Sequence, residues 1–210
     1  MENPVIIFGA GALGRLALEI FVANEIVVYG FLDDDASLHG QEFDNVPVLG
    51  ATDDEKYLKL IGKKCEAFVA TDDMALRRSL TGFLIEGRKI MPCNALHPTA
   101  SIAASAIIAN GTLFGPKAVV SAGANVGNHC MLHAGALVDY EATLGDLVQV
   151  RAGAIIGNGA TIGAEAFIGQ GAIIVPGIKI GRGARVGAGS VVVQDVPDKQ
   201  TVFGNPAVKV

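Results

Sequence analysis

Four polar side chains, Ser121, His133, Asp139 and Arg151, stand where a repeating stretch of this chain otherwise puts mostly Gly or Ala. Ser121 and Asp139 are 18 residues apart, and so are His133 and Arg151. Imidazole, carboxylate and phenol groups, as in His133, Asp139 and the adjoining Tyr140 and Glu141, are the ones that carry protons in acid–base catalysis. A second constellation lies near the N-terminus. Gly9-Ala10-Gly11-Ala12-Leu13-Gly14 forms a glycine-rich turn, and Asp33-Asp34-Asp35 follows about twenty residues later. Glycines at that spacing let a backbone approach a phosphate at a helix N-terminus, and the acid is placed to meet a ribose.

The elements that must hold these groups follow from the pattern around them. Residues 4–8 are an apolar run that reads as a buried strand, and residues 15–21 read as a helix. A second strand over residues 26–32 ends in the three aspartates. A third, residues 67–70, precedes Thr71-Asp72-Asp73 and a helix carrying Arg77 and Arg78. Taken alone, these features suggest a nicotinamide-dependent dehydrogenase. Only about ninety residues precede the repeat, which is half of a dinucleotide-binding fold. A mononucleotide fits that length better.

From Ile102 to Val192 every sixth residue is aliphatic or Phe, sixteen times in succession. Four places after most of these comes a small residue, as at Ala118, Ala136, Ala154 and Ala172, often with Gly before it. A period of six matches neither an α-helix nor one long strand. It suits a solenoid whose triangular coil has three flat sides of six residues, about 18 per turn. Burying each aliphatic side chain is worth about 1.5–3 kcal/mol, so the series makes a stiff scaffold. By this ruler Ser121 stacks beneath Asp139, and His133 beneath Arg151. Polar groups that break a packing repeat add nothing to its core and are candidates for function.

Bulk composition narrows the classes. Half the residues are hydrophobic, Gly numbers 27 and Trp is absent. No apolar run approaches the ~18–20 residues of a membrane helix. The opening Met1-Glu2-Asn3-Pro4 lacks the basic stretch of a signal peptide, and Cys65, Cys93 and Cys130 are too scattered for a disulfide framework. A cytoplasmic location is the expectation. Residues 1–92 carry a net charge of −6 and residues 93–210 of +1. Lys179, Arg182 and Arg185 gather in the last coils, too few for nucleic acid but enough to meet a phosphorylated cofactor. His129 and His133 would share a metal on a helix, but on a six-residue period they point differently, and no metal site is expected. His97-Pro98 reads as a junction, with Pro98 fixing the entry into the first coil.

The chain resembles the hexapeptide-repeat sugar acyltransferases of the sialic acid O-acetyltransferase and bacillosamine N-acetyltransferase type. The resemblance spans essentially its whole length. It rests on Gly9–Gly14, Phe31-Leu32-Asp33-Asp34-Asp35, Val46-Pro47-Val48-Leu49-Gly50, Leu96-His97-Pro98-Thr99-Ala100, the array of hexads, and the ending Val196-Pro197 through Gly204-Asn205-Pro206-Ala207. It implies a Rossmann-like α/β half domain over residues 1–92 that holds a nucleotide-linked sugar. A left-handed parallel β-helix over residues 93–210 would follow, assembling as a homotrimer with acetyl-CoA as co-substrate between neighbouring helices. Carried over by position, Ala10, Gly11, Ala12, Leu13, Asp33 and Asp34 would contact the nucleotide sugar. Gln149, Asn158, Gln170 and Ala188 would follow the acyl-CoA.

One departure concerns the chemistry. The family's base is a His in a segment resembling V-D-H-D/E, and here that segment reads Val138-Asp139-Tyr140-Glu141. A second family His, at the acyl end of CoA, matches Gln149. Tyr has a reference pKa near 10, far above that of His. Three explanations stand open: Glu141 or His133 removes the proton, an already neutral amine needs little help while Tyr140 orients it, or catalysis has been lost and a trimeric nucleotide-sugar-binding module remains.

Overall fold

The computed structural model describes residues 3–210. The chain falls into two compact units divided after Pro98. The sequence puts this divide after residue 92. It lies later because Cys93 donates its N–H to the Ala67 carbonyl (2.9 Å) and Asn24 Nδ2 donates to the Leu96 carbonyl (2.8 Å), which tie the intervening residues to the first unit.

In chain order the first unit holds β1 (Val5–Phe8), α1 (Ala12–Ala23), β2 (Val28–Leu32), β3 (Glu42–Phe43), β4 (Val46–Gly50), α2 (Glu55–Leu58), β5 (Glu66–Val69) and α3 (Met74–Gly82). The strands form one sheet in the order β3-β4-β2-β1-β5. All neighbours run parallel except β3, which pairs antiparallel with β4. Central position explains why all four residues of β1 are apolar and buried. α1 buries Leu13, Ala17, Leu18, Ile20 and Phe21 along one face, and Phe21 meets Phe68 edge-on at 5.7 Å. Gly14 is what lets α1 start so close to the sheet, because a Cβ there would lie 2.0 Å from the Gly9 carbonyl oxygen.

The second unit is a parallel β-helix of two-residue strands stacked 18 residues apart. Val120, Val138, Ile156, Ile174 and Val192 pair in succession, and all of them are buried. This ladder with its two counterparts and the small residues at the corners builds one continuous apolar core. The other residue of each strand faces outward, which gives three faces of different character. Face one carries Val119, Leu137, Ile155, Ile173 and Val191. Face two carries Asn125, Thr143, Thr161 and Lys179. Face three carries Leu113, Met131, Gln149, Phe167 and Arg185.

Most corners are four-residue turns whose third residue has positive φ, the type II requirement that favours Gly. Between faces one and two that position is held by Gly123, Glu141, Gly159 and Gly177, with φ of 68°, 58°, 64° and 72°. Glu141 is flanked by glycines in the coils on either side, in a column that also holds Ser105 and Asp195 at its ends. An L-residue in this conformation costs about 1–2 kcal/mol.

Candidate active site

The glycine-rich turn and the ends of the parallel strands enclose a cleft of about 310 Å³ in the first unit. Gly9, Gly11, Ala12, Leu13, Asp33 and Asp34 line it, together with Thr52 and Thr71-Asp72-Asp73. Five of the six expected sugar contacts thus converge. Ala10 is the exception: it is buried, and its N–H donates to Asp33 Oδ2 at 2.7 Å. Asp33 Oδ1 accepts from the Asp35 N–H at 2.9 Å, so both carboxylate oxygens of Asp33 are spent on shaping the turn. Asp34 Oδ1 takes both the N–H and the hydroxyl of Thr52, at 2.9 and 2.8 Å, and both residues line the cleft.

Two helices open on this cleft, and they differ. α3 is closed by its own Asp73, whose Oδ1 accepts from the Ala75 and Leu76 N–H groups at 2.8 and 2.9 Å. α1 begins at Gly11 with no side-chain cap. Its first N–H groups have no helical partner, and the helix dipole adds positive potential at the same spot. A phosphate is accommodated at the α1 end, while the carboxylates of Asp34, Asp72 and Asp73 favour hydrogen-bond donors such as ribose hydroxyls or a base edge. Thr52, Thr71, Asp72 and Asp73 were not singled out as contacts from the sequence. The polar triplet after the third predicted strand was the available signal for the last three.

In the β-helix the expected groups separate onto different features. Asp139, Tyr140, Glu141 and Asn158 occupy the corner between faces one and two. Asn158 lies one coil from Tyr140, and Tyr140 is 48% exposed. Asp139 Oδ1 accepts from the Tyr140 N–H at 2.8 Å. The corner between faces three and one carries His133, Arg151, Gln170 and Ala188, a full side of the triangle from Tyr140 within the chain. Gln170 and Ala188 are exposed there, in one column with Ala134 and Ala152. His133 is only 9% exposed, and its Nε2 lies 3.2 Å from Arg151 Nη1, so that nitrogen accepts from the guanidinium. Gln149 belongs to neither corner. It is on face three and 3% exposed.

The basic residues of the last coils are also dispersed. Arg182 pairs with Glu165 at 2.8 Å, which raises the pKa of the guanidinium through that hydrogen bond, and Arg185 stacks over Phe167 at 4.6 Å. Lys179 stands apart from both on face two. They form no common phosphate site within the chain.

Comparison with known proteins places these features in a family. Residues 4–82 match the PglD N-terminal domain, and residues 159–194 match the bacterial transferase hexapeptide (six repeats). A histidine-to-alanine variant of GDP-perosamine N-acetyltransferase from Caulobacter crescentus, in complex with CoA and GDP-perosamine, is 29% identical. The match covers 100% of this chain and 98% of that one, with a TM-score of 0.91. The acetyltransferase domain of PglB from Neisseria gonorrhoeae is 30% identical over 100% of both chains, TM-score 0.89, and has also been solved with acetyl coenzyme A. WeeI from Acinetobacter baumannii is 25% identical over 99% of both chains, TM-score 0.79. No curated protein sequence matches the chain. An α/β half domain with an uncapped glycine turn, joined to a hexapeptide β-helix and matched end to end by these structures, makes the chain a member of the hexapeptide-repeat, left-handed β-helix sugar acetyltransferases with a PglD-type N-terminal domain.

Proposed function

We propose that this protein transfers the acetyl group of acetyl-CoA to the amino group of a nucleotide-linked amino sugar. The observation that carries this reading is the full-length agreement with the Caulobacter enzyme, whose structure contains CoA and GDP-perosamine. In the reaction the amine nitrogen attacks the thioester carbonyl. A C–N bond forms, the C–S bond breaks, and one proton passes from nitrogen to the departing sulfur. The nucleotide is held by the cleft of the first unit, its phosphates at the N–H groups of Gly11, Ala12 and Leu13, and its donors toward Asp34 and Asp73. Asp33 acts by holding the turn. Acetyl-CoA and nucleotide sugars are cytoplasmic metabolites, so the reaction is assigned to that compartment.

The working form is a homotrimer packed about face one. That face presents a column of aliphatic side chains, with Ile155 and Ile173 39% and 38% exposed, while face two carries Asn125, Thr143, Thr161 and Lys179 beyond a single exposed Ile107. A contiguous apolar strip of this kind marks an interface. Threefold packing about face one brings the Tyr140 corner of one protomer against the His133–Ala188 corner of the next. Residues 133–136 immediately precede the strand Leu137–Val138 and residues 139–142 immediately follow it, so the two corners lie at the same height. The pantetheine arm of CoA then runs between Tyr140 and Asn158 on one side and the small residues Ala152 and Ala188, with Gln170, on the other. Size-exclusion chromatography with light scattering and thermal-shift measurements test this. The reading expects a mass three times the 21.6 kDa chain and stabilisation by acetyl-CoA and by a nucleotide sugar. Stabilisation by NAD alone, or a monomer that binds neither ligand, would overturn it.

A further inference from the structure

Tyr140 stands where the resemblance expects a base histidine, and the neighbouring acids differ in how they are engaged. His133 is nine-tenths buried, a side of the triangle away, with Nε2 occupied by Arg151. Asp139 has Oδ1 engaged by the Tyr140 N–H. Glu141 is different. It is exposed, and it occupies a left-handed corner position between Gly123 and Gly159, where packing calls for no side chain. Glu165, another acid in such a conformation, is held by Arg182. Lys117 and Leu147 adopt the same conformation at other corners, and Glu141 is the one of these residues that adjoins Tyr140.

Resting on the transferase reading above, we propose that Tyr140 and Glu141 divide between them the two proton transfers of the reaction. Glu141 takes the proton released by the amine as the C–N bond forms. Tyr140 gives its phenolic proton to the sulfur as the C–S bond breaks, and the proton held by Glu141 then returns Tyr140 to its neutral form. Atoms and charge balance: amine and acetyl thioester become amide and thiol. A histidine, with a reference pKa near 6.5, serves as both acceptor and donor. A carboxylate serves as the acceptor and a phenol as the donor, so the two roles are shared by two residues.

The glycine column supplies a test that separates chemistry from folding. Glu141→Gly matches its neighbours above and below and relieves the left-handed strain, so its Tm rises by about 2–4 °C. Its kcat falls by about 100-fold or more, as does that of Glu141→Gln, within the range for loss of a proton-transfer group. The KM for acetyl-CoA stays within twofold in both. Tyr140→Phe lowers kcat at least tenfold with Tm unchanged, because the side chain is about half exposed. Tyr140→His combined with Glu141→Gln regains at least tenfold over Glu141→Gln alone. Thiol release by the unmodified chain that persists within threefold in Glu141→Gln and Glu141→Gly overturns the division of labour and leaves the transferase reading intact. No thiol release by the unmodified chain, with any nucleotide-linked amino sugar, overturns both.

Discussion

Arg151 donates from Nη1 to Nε2 of His133 across 3.2 Å, one coil of the β-helix apart. The pair explains two residues that interrupt the Gly/Ala pattern without giving them to catalysis. A neutral imidazole held this way keeps its lone pair on the guanidinium and is unavailable to a substrate proton.

His133→Ala is expected to lower stability by about 1.5–3 kcal/mol, the scale of a hydrogen bond to a charged group, because it removes the Nε2 acceptor from Arg151 Nη1. The kcat should stay within threefold of the unmodified protein. Chemical denaturation and steady-state kinetics on one preparation check both, and a large loss of kcat with unchanged stability would return His133 to the chemistry.

Ile155→Glu places a charge in the middle of the aliphatic column on face one. The expected outcome is dissociation to a chain-sized species, read by light scattering, with acetyl transfer lost because the proposed assembly builds each site from two protomers. The β-helix core is untouched, so the circular dichroism spectrum should be retained.

Gly14→Ala sets a methyl group against the Gly9 carbonyl oxygen, where an ideal Cβ would lie only 2.0 Å away. Moving α1 back to relieve this should cost about 1–3 kcal/mol. It also shifts the open helix end. Stabilisation by a nucleotide sugar should disappear while that by acetyl-CoA, bound on the β-helix, persists.

Asp33→Ala removes the acceptor for two backbone N–H groups, that of buried Ala10 among them. The expected cost is about 1–3 kcal/mol, with loss of nucleotide-sugar binding. Asp34→Ala breaks only contacts at an exposed site. It should leave Tm nearly unchanged and weaken nucleotide-sugar binding, measured by calorimetry.

Burial of the Cys65 side chain pushes its thiol pKa above the ordinary value of 9.0, and desolvation is the main cause. The folded group therefore favours the protonated form. Its contribution to stability is full below pH 9 and is lost as the pH rises from there toward the folded value. Unfolding followed between pH 8 and 10.5 should show a decline that Cys65→Ala reduces.

The architecture was open to reading from the sequence because each coil repeats the same local demands. An aliphatic residue enters the core every sixth place and a small residue closes each corner, so neighbours 18 apart need no long-range knowledge. The first unit was legible in its strands and in Gly9–Gly14 for the same reason. What the sequence hid depends on contacts between distant residues. Asp33 has the spacing of a ribose-binding acid, but its oxygens go to Ala10 and Asp35. Thr52 joins the cleft through Asp34, 18 residues away. Gln149 aligns with an acyl-binding residue of the family, yet its strand turns it onto face three, where it is 3% exposed. Motif position told which residues are special, while the partner each one found decided its work.

Acetyl transfer itself tests the account most directly. Acetyl-CoA and a panel of GDP-, UDP- and dTDP-linked amino sugars are incubated with the full-length protein, and the products are separated and weighed by mass spectrometry. One of these sugars should gain a single acetyl group on nitrogen, matched mole for mole by free CoA thiol. Binding of both ligands with no acetylated sugar and no thiol release would contradict it, and would leave a binding module on a transferase fold.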